Sequence, residues 1–122
     1  MSKIDYKSAG VDIDAGSEAV GRIKDNVKST FTSNVLTGLG SFGSLYDLKP
    51  VLKEYKNPVM VQSIDGVGTK TIIARKLKKF DTIGIDLLSA CANDILVMGA
   101  RPLTFLDYIA NDRLKPDIIE EI

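Results

Sequence analysis

Six consecutive residues, Asp65-Gly66-Val67-Gly68-Thr69-Lys70, bring a carboxylate, two glycines, a hydroxyl and an ammonium into one short run. They follow Val59-Met60-Val61-Gln62-Ser63-Ile64, an apolar stretch with the look of a strand. Glycines let a backbone approach a bulky anion, Lys supplies positive charge, and Asp can hold a divalent cation. That chemistry suits a nucleotide polyphosphate with its metal. The G-x-x-x-x-G-K-[ST] spacing of a Walker loop is absent, so the motif must be judged with its neighbours. Taken alone, Asp65-Gly66 is equally compatible with a plain turn after a strand.

The next chemical feature is a long helix expected from Asp81, as its cap, to about Met98, ended by Gly99 and followed by Pro102. At 100° per residue, Asp86 and Asn93 lie about 20° apart on one face, with Ser89 and Ala90 flanking and Asp94 about 80° round. The opposite arc carries Leu88, Cys91, Ile95 and Met98. A polar helix face is commonly just solvated, but such a face usually bears Lys, Glu and Arg, all missing between Ile83 and Ala100. Gly38-Leu39-Gly40-Ser41-Phe42-Gly43 could cradle phosphates through its N–H groups, although a glycine-rich surface turn is the commoner identity of such a run. Asp107 stands within an apolar run, where a charge needs either a partner or a site to face. Cys91, on the apolar arc, reads as a small core residue rather than a nucleophile.

Composition narrows the chemistry. Among 122 residues there is no histidine, which removes Ser-His-Asp and Cys-His nucleophile pairs and imidazole zinc sites. With hard oxygen ligands and no His or thiolate cluster, Mg²⁺ is the expected metal if there is one. Sixteen acidic and sixteen basic side chains balance, so no basic field favours nucleic acid or an anionic membrane. No apolar stretch approaches the ~20 residues of a membrane span, and the opening Met1-Ser2-Lys3-Ile4-Asp5 does not resemble a signal peptide. A single Cys91 excludes an internal disulfide and fits a reducing cytoplasm. The length suits one domain with its own core.

These residues need elements to hold them. Tyr6 to Gly16 is expected as an irregular or extended segment. A helix follows from about Ser17 to Phe31, with Val20, Ile23, Val27 and Phe31 at helical spacing. Gly38 to Gly43 is expected as a loop and Ser44 to Leu48 as a short strand. Val59 to Ile64 is the best strand, between Asn57-Pro58 and Asp65-Gly66. Thr71 to Leu77 is expected helical, Leu103 to Ile109 a second buried strand, and Lys115-Pro116-Asp117 the start of a helix with Pro in its tolerated first turn. That last helix reaches Ile122 after roughly two turns, as in the front portion of a longer protein.

Taken together the motifs resemble the phosphoribosylformylglycinamidine cyclo-ligase (aminoimidazole ribonucleotide synthetase) family. The resemblance begins at Tyr6-Lys7-Ser8-Ala9-Gly10-Val11-Asp12-Ile13-Asp14-Ala15-Gly16 and continues through the Gly38 to Gly43 loop, Asp65 to Lys70 and Asp81 to Leu87. It then runs through Asn93 to Leu103 and Phe105 to Tyr108, in family order across nearly the whole chain. The leading segment separates this family from relatives sharing the Asp-Gly and Asn-Asp motifs: formylglycinamidine ribonucleotide synthetase, selenophosphate synthetase and thiamine monophosphate kinase.

The resemblance implies ATP-dependent closure of the imidazole ring of formylglycinamidine ribonucleotide, giving aminoimidazole ribonucleotide in purine biosynthesis. Phosphorylation of the formyl oxygen turns a poor leaving group into a good one. The protein then has to position reactants and neutralise phosphate charge more than supply a nucleophile. The implied cofactors are ATP and Mg²⁺. Lys70 and Asp65 are implied as catalytic, and Asp65, Asp94 and Asp86 as metal ligands. Gly38, Gly40, Ser41, Gly43, Gly66, Gly68, Thr69, Lys70 and Asn93 are implied nucleotide contacts. The implied fold is α/β (α+β), a mixed sheet flanked by helices as in the amino-terminal domain of the aminoimidazole ribonucleotide synthetase superfamily, with sheets pairing into a barrel across a homodimer. Residues 1–122 would form an incomplete ATP-binding and dimerisation domain, inactive without the carboxy-terminal domain. Two alternatives stay open at this level: a sister ATP-dependent phosphotransferase of the superfamily, or a module that only dimerises or binds nucleotide.

Overall fold

A computed structural model describes residues 5–122, so Met1 to Ile4 of the opening segment lie outside the described residues. Five helices occur in chain order: α1 Ile13–Ser29, α2 Lys49–Glu54, α3 Lys70–Leu77, α4 Ile83–Val97 and α5 Pro116–Glu121. The only β-pairing among the described residues is an isolated antiparallel bridge between Val35 and Tyr46. This corrects the expected mixed sheet and barrel. Val59 to Ile64 and Leu103 to Ile109 carry strand-like side chains, but neither pairs its backbone as a strand. Propensity can favour an extended chain, whereas a strand exists only when a second chain accepts its hydrogen bonds.

The chain falls into two compact units. One contains the residues up to Pro58 together with Asn111–Glu120, the other Val59–Ala110 with Glu121–Ile122. In the first unit, the leading segment is wound rather than extended. Asp5 and Ser8 exchange hydrogen bonds, the Ser8 N–H reaching Asp5 Oδ1 at 2.7 Å and the Asp5 N–H reaching Ser8 Oγ at 3.0 Å. Gly10 ends the turn at φ +95°, a backbone state costly for any residue with a Cβ. Helix α1 then starts four residues earlier than the apolar spacing indicates. Asp12 is its N-cap, Oδ1 accepting the Ala15 N–H at 3.1 Å, and Asp14 adds a favourable charge to the first turn. The helix therefore runs through Gly16, the expected end of the irregular or extended segment.

Arg22 of α1 pairs with Glu18 one turn earlier at 2.6 Å, and with Asp117 and Glu120 of α5, the latter at 2.9 Å. The three carboxylates, Glu18 first, hold the guanidinium charged well above its ordinary range. The short helix α2 went unforeseen. Asp47 Oδ1 accepts the Lys49 N–H at 3.0 Å, and Pro50 fits the first turn because a proline there forfeits no helical bond.

In the second unit α3 packs against α4. Helix α3 ends with the Lys79 N–H on Ala74 O at 3.1 Å and the Lys78 N–H on Arg75 O at 3.4 Å, with Lys78 in the left-handed region at φ +51°. Helix α4 ends as its sequence indicates. Gly99 takes φ +74°, its N–H bonds Leu96 O at 2.9 Å, and the Ala100 N–H bonds Ile95 O at 3.0 Å, the pair that defines a Schellman motif. Its start differs. Thr82 occupies the N-cap without a side-chain bond, while Asp81 pairs with Lys79 at 3.6 Å.

Burial is sparse. Among the described residues only Ala19 and Ala74 are buried, one in each unit. The expected buried strand at 103–109 is instead largely exposed, with Leu106 at 77% and Tyr108 at 89%, and Asp107 is exposed too. Cys91 is half-buried and forms no disulfide.

Two outcomes follow from these helix ends. Lys78→Gly removes the penalty of a β-carbon in the left-handed region and should raise the urea unfolding free energy by about 0.5–1 kcal/mol. At the other end, hydrogen bonding from Lys7 first, then from the Ala15 N–H, holds the Asp12 carboxyl below its ordinary 3.8. Its contribution is therefore complete above that value and is lost as the pH falls through the lower folded value. Helical circular dichroism should decline across that acid window, and Asp12→Asn, which caps without a charge, should make the decline smaller.

Candidate functional site

The Asp65 motif and α4 both belong to the second unit, and the structure joins them at two points. Lys70 is the first residue of α3 and Asp86 lies in the first turn of α4. Lys70 Nζ sits 3.0 Å from Asp86 Oδ2. Ser63, just before the motif, donates its hydroxyl to Asp94 Oδ2 at 2.9 Å. Asp65 accepts the adjacent Gly66 N–H on Oδ1 at 2.6 Å. Residues 16 and 31 positions apart in the chain are thus tied together around the start of α3.

The loop leading into α3 has the backbone character the motif promised. Gly68 adopts φ +67°, and at both Gly66 and Gly68 nothing lies within 4 Å of where a Cβ would stand. Thr71 closes the turn from within the helix, its N–H and hydroxyl both reaching Gly68 O, at 3.3 Å and 2.9 Å. Among the described residues the N–H groups of Gly68, Thr69 and Lys70 have no hydrogen-bond acceptor. Unsatisfied N–H groups at a helix start, beside an open glycine backbone and an ammonium, form a natural contact for phosphate oxygens.

The carboxylates have a divided arrangement. Asp86 engages one oxygen in an ion pair with Lys70, while Asp65 and Asp94 each engage one oxygen in a hydrogen bond from a neutral donor. Among the described residues no three His, Cys, Asp or Glu side chains converge as a metal-holding group. Mg²⁺ does not require one, since it is usually held by one or two carboxylates with phosphate oxygens and water completing the shell. The oxygen-only donors Asp65 and Asp94 fit that pattern. Asn93 is exposed beside Asp94 on α4.

The Gly38 to Gly43 loop belongs to the first unit and is closed at its base. The Leu36 N–H donates to Leu45 O at 2.8 Å and the Asp47 N–H to Asn34 O at 2.7 Å, on either side of the Val35–Tyr46 bridge. Thr37 Oγ1 accepts the Leu45 N–H at 2.9 Å, and Asn34 Nδ2 donates to the Tyr46 hydroxyl at 3.1 Å. The short strand expected at Ser44 to Leu48 is reduced to this bridge. At the tip Gly40 takes φ +97°, no atom lies within 4 Å of a Cβ built on Gly38, Gly40 or Gly43, and Ser41 and Phe42 are exposed.

A surface depression of about 390 Å³ runs along Ile72, Arg75 and Lys76 of α3, and none of the expected site residues lines it. Ser63 is the residue that sequence reasoning left unassigned. A signal for it existed, since residues two apart in an extended chain share a side, which pairs Ser63 with Asp65.

Comparison with known proteins bears on these features. Residues 48–122 match the family model described as "AIR synthase related protein, N-terminal domain". The chain is 54% identical over 117 residues to the phosphoribosylformylglycinamidine cyclo-ligase of Brevibacillus brevis, an alignment covering 96% of this chain and 33% of that protein. The proteins of the same name from Alkaliphilus oremlandii and Carboxydothermus hydrogenoformans are 53% and 51% identical, over 98% and 100% of this chain and 35% of each relative. The chain thus spans about a third of the length of the curated relatives it matches.

Both members of the Lys70–Asp86 pair are largely in solvent, with side chains 58% and 39% exposed. An ion pair so placed contributes about 0–1 kcal/mol to stability. Lys70→Ala should accordingly shift the urea unfolding free energy by less than about 1 kcal/mol.

Proposed function

The chain belongs to the AIR synthase related family, and from that premise we propose that it contributes the amino-terminal part of an ATP-dependent ring-closing ligase. The reaction is the conversion of formylglycinamidine ribonucleotide to aminoimidazole ribonucleotide in purine biosynthesis. The observation that carries this reading is identity above 50% to cyclo-ligases along nearly the entire chain. The leading Tyr6 to Gly16 segment, which separates the cyclo-ligase from sister phosphotransferases, lies within the matched length of the Carboxydothermus protein.

The site chemistry supports it. Lys70, fixed at the start of α3, supplies positive charge to a phosphoryl group in transfer, and the N–H groups of Gly68 and Thr69 with the open backbone of Gly66 accommodate phosphate oxygens. Asp65 and Asp94 are the carboxylates that would hold Mg²⁺, and Asn93 adds an amide beside them. Mg²⁺ supplies charge neutralisation to a polyphosphate when bound. On its own unit, the Gly38, Gly40, Ser41 and Gly43 loop offers exposed backbone suited to covering phosphate. None of these tasks needs a histidine, and the chain has none.

The same reading carries a homodimer, a cytoplasmic location and inactivity of residues 1–122 in isolation. Val59, Met60, Ile64, Leu106 and Tyr108 are each exposed, and covering such apolar side chains would favour self-association. Among the described residues no helix is long and apolar enough to cross a membrane. A full-length protein carrying this chain, given formylglycinamidine ribonucleotide, ATP and Mg²⁺, should release aminoimidazole ribonucleotide, ADP and phosphate. Asp65→Ala and Lys70→Ala should each lower kcat by about 10²-fold or more while leaving the unfolding midpoint nearly unchanged. Full ring closure by Asp65→Ala would reject the assignment, and absence of product from the parent protein would reject the function.

A further inference from the structure

Lys70 occupies an unusual place for a cation. It is the first residue of α3, at the positive end of the helix dipole, and the first turn of α3 contains no acidic residue to offset it. The offset comes from another helix. Asp86, sixteen residues on, projects from the first turn of α4 and meets the ammonium at 3.0 Å. The site's other long-range contact, from Ser63 to Asp94, does not involve Asp86. A carboxylate already neutralised by an ammonium is a poor ligand for a hard cation, whereas the hydrogen bonds to Asp65 and Asp94 come from a backbone N–H and a hydroxyl.

We propose that Asp86 is a positioning residue for Lys70, holding its ammonium ready for the phosphates of a nucleoside triphosphate, and that it is not a ligand of the metal. This deepens the proposed function and rests on its reading of the Lys70 site. The physical effect is preorganisation. A lysine side chain turns about four bonds, and an exposed one must be ordered when it meets a phosphate. Asp86 imposes much of that order beforehand, because α3 and α4 are packed together and both partners stand at helix starts. Solvent exposure means the pair adds little to the fold, so its consequence is felt in ligand binding.

The test is a double-mutant cycle in a full-length protein carrying this chain, with Asp86→Asn, Lys70→Ala and the two combined, read by calorimetry of Mg²⁺–ATP binding and by electron paramagnetic resonance of Mn²⁺ bound with ATP. Asp86→Asn is expected to weaken ATP binding about tenfold, and the combined variant to bind no worse than Lys70→Ala within about twofold, since Asp86 acts through Lys70. Mn²⁺ affinity in the presence of ATP should be the same for Asp86→Asn and Lys70→Ala, and Asp86→Glu should recover part of the lost ATP affinity. Losses that multiply in the combined variant, or a tenfold fall in Mn²⁺ affinity specific to Asp86→Asn, would overturn the inference. Unfolding midpoints, with Asp86→Glu as the conservative second variant, separate misfolding from either result. Because the cycle reads ATP and metal binding, a parent protein that binds ATP without closing the ring would refute the proposed function while the cycle still decided the role of Asp86.

Discussion

Backbone hydrogen bonds that close within four or five residues organise this chain. Helices satisfy that condition from their own sequence once each end is capped, and all five depend on such local closures. Asp12 supplies one at the start of α1, Gly99 another at the end of α4, and Lys78 a third at the end of α3 despite its strained φ. Apolar extended segments have no such recourse. Their N–H and C=O groups point sideways and need a neighbouring chain, and the described residues offer one only at the Val35–Tyr46 bridge. The result is a helical structure with exposed Val, Ile, Leu and Tyr along the stretches most inclined to be strands.

That constraint shapes the site. Chemistry-bearing residues cluster where an extended segment passes into a helix, because a helix start leaves N–H groups unsatisfied and a glycine turn keeps the backbone open around them. Lys70, placed at that start, works against the helix dipole and is balanced from α4. Asp94 is oriented from the other direction by Ser63, on the segment that precedes the motif. The contacts divide the acidic residues into one carboxylate paired with an ammonium and others hydrogen-bonded by neutral donors.

Some of this was legible in residues read one after another. Gly99 announced the end of α4 because only glycine adopts positive φ without penalty, and Lys115-Pro116-Asp117 announced α5 because proline suits a first turn. The family resemblance, carried by ordered motifs rather than by periodicity, agrees with the relatives' names. Other features were misread for physical reasons. Val59 to Ile64 has the composition of a buried strand, yet composition records a side chain's preference and says nothing of whether a partner is present. Asp81 stood at the right distance to cap α4, but its carboxylate met Lys79 instead, and Thr82 took the N-cap without a side-chain bond.

The sequence by itself determined the inventory of this protein: no histidine, oxygen donors in place of imidazole, the Gly99 and Pro116 helix signals, and the family. Those are properties of residue types and short spacings, which survive in any fold. Only the tertiary structure decided which carboxylate answers which cation. Helical geometry put Asp86, Asn93 and Asp94 on neighbouring parts of α4, and by that criterion all were alike. The packing of α3 on α4 brought Lys70 to Asp86 and left Asp94 to Ser63, a choice made between side chains far apart in sequence and a few ångströms apart in space.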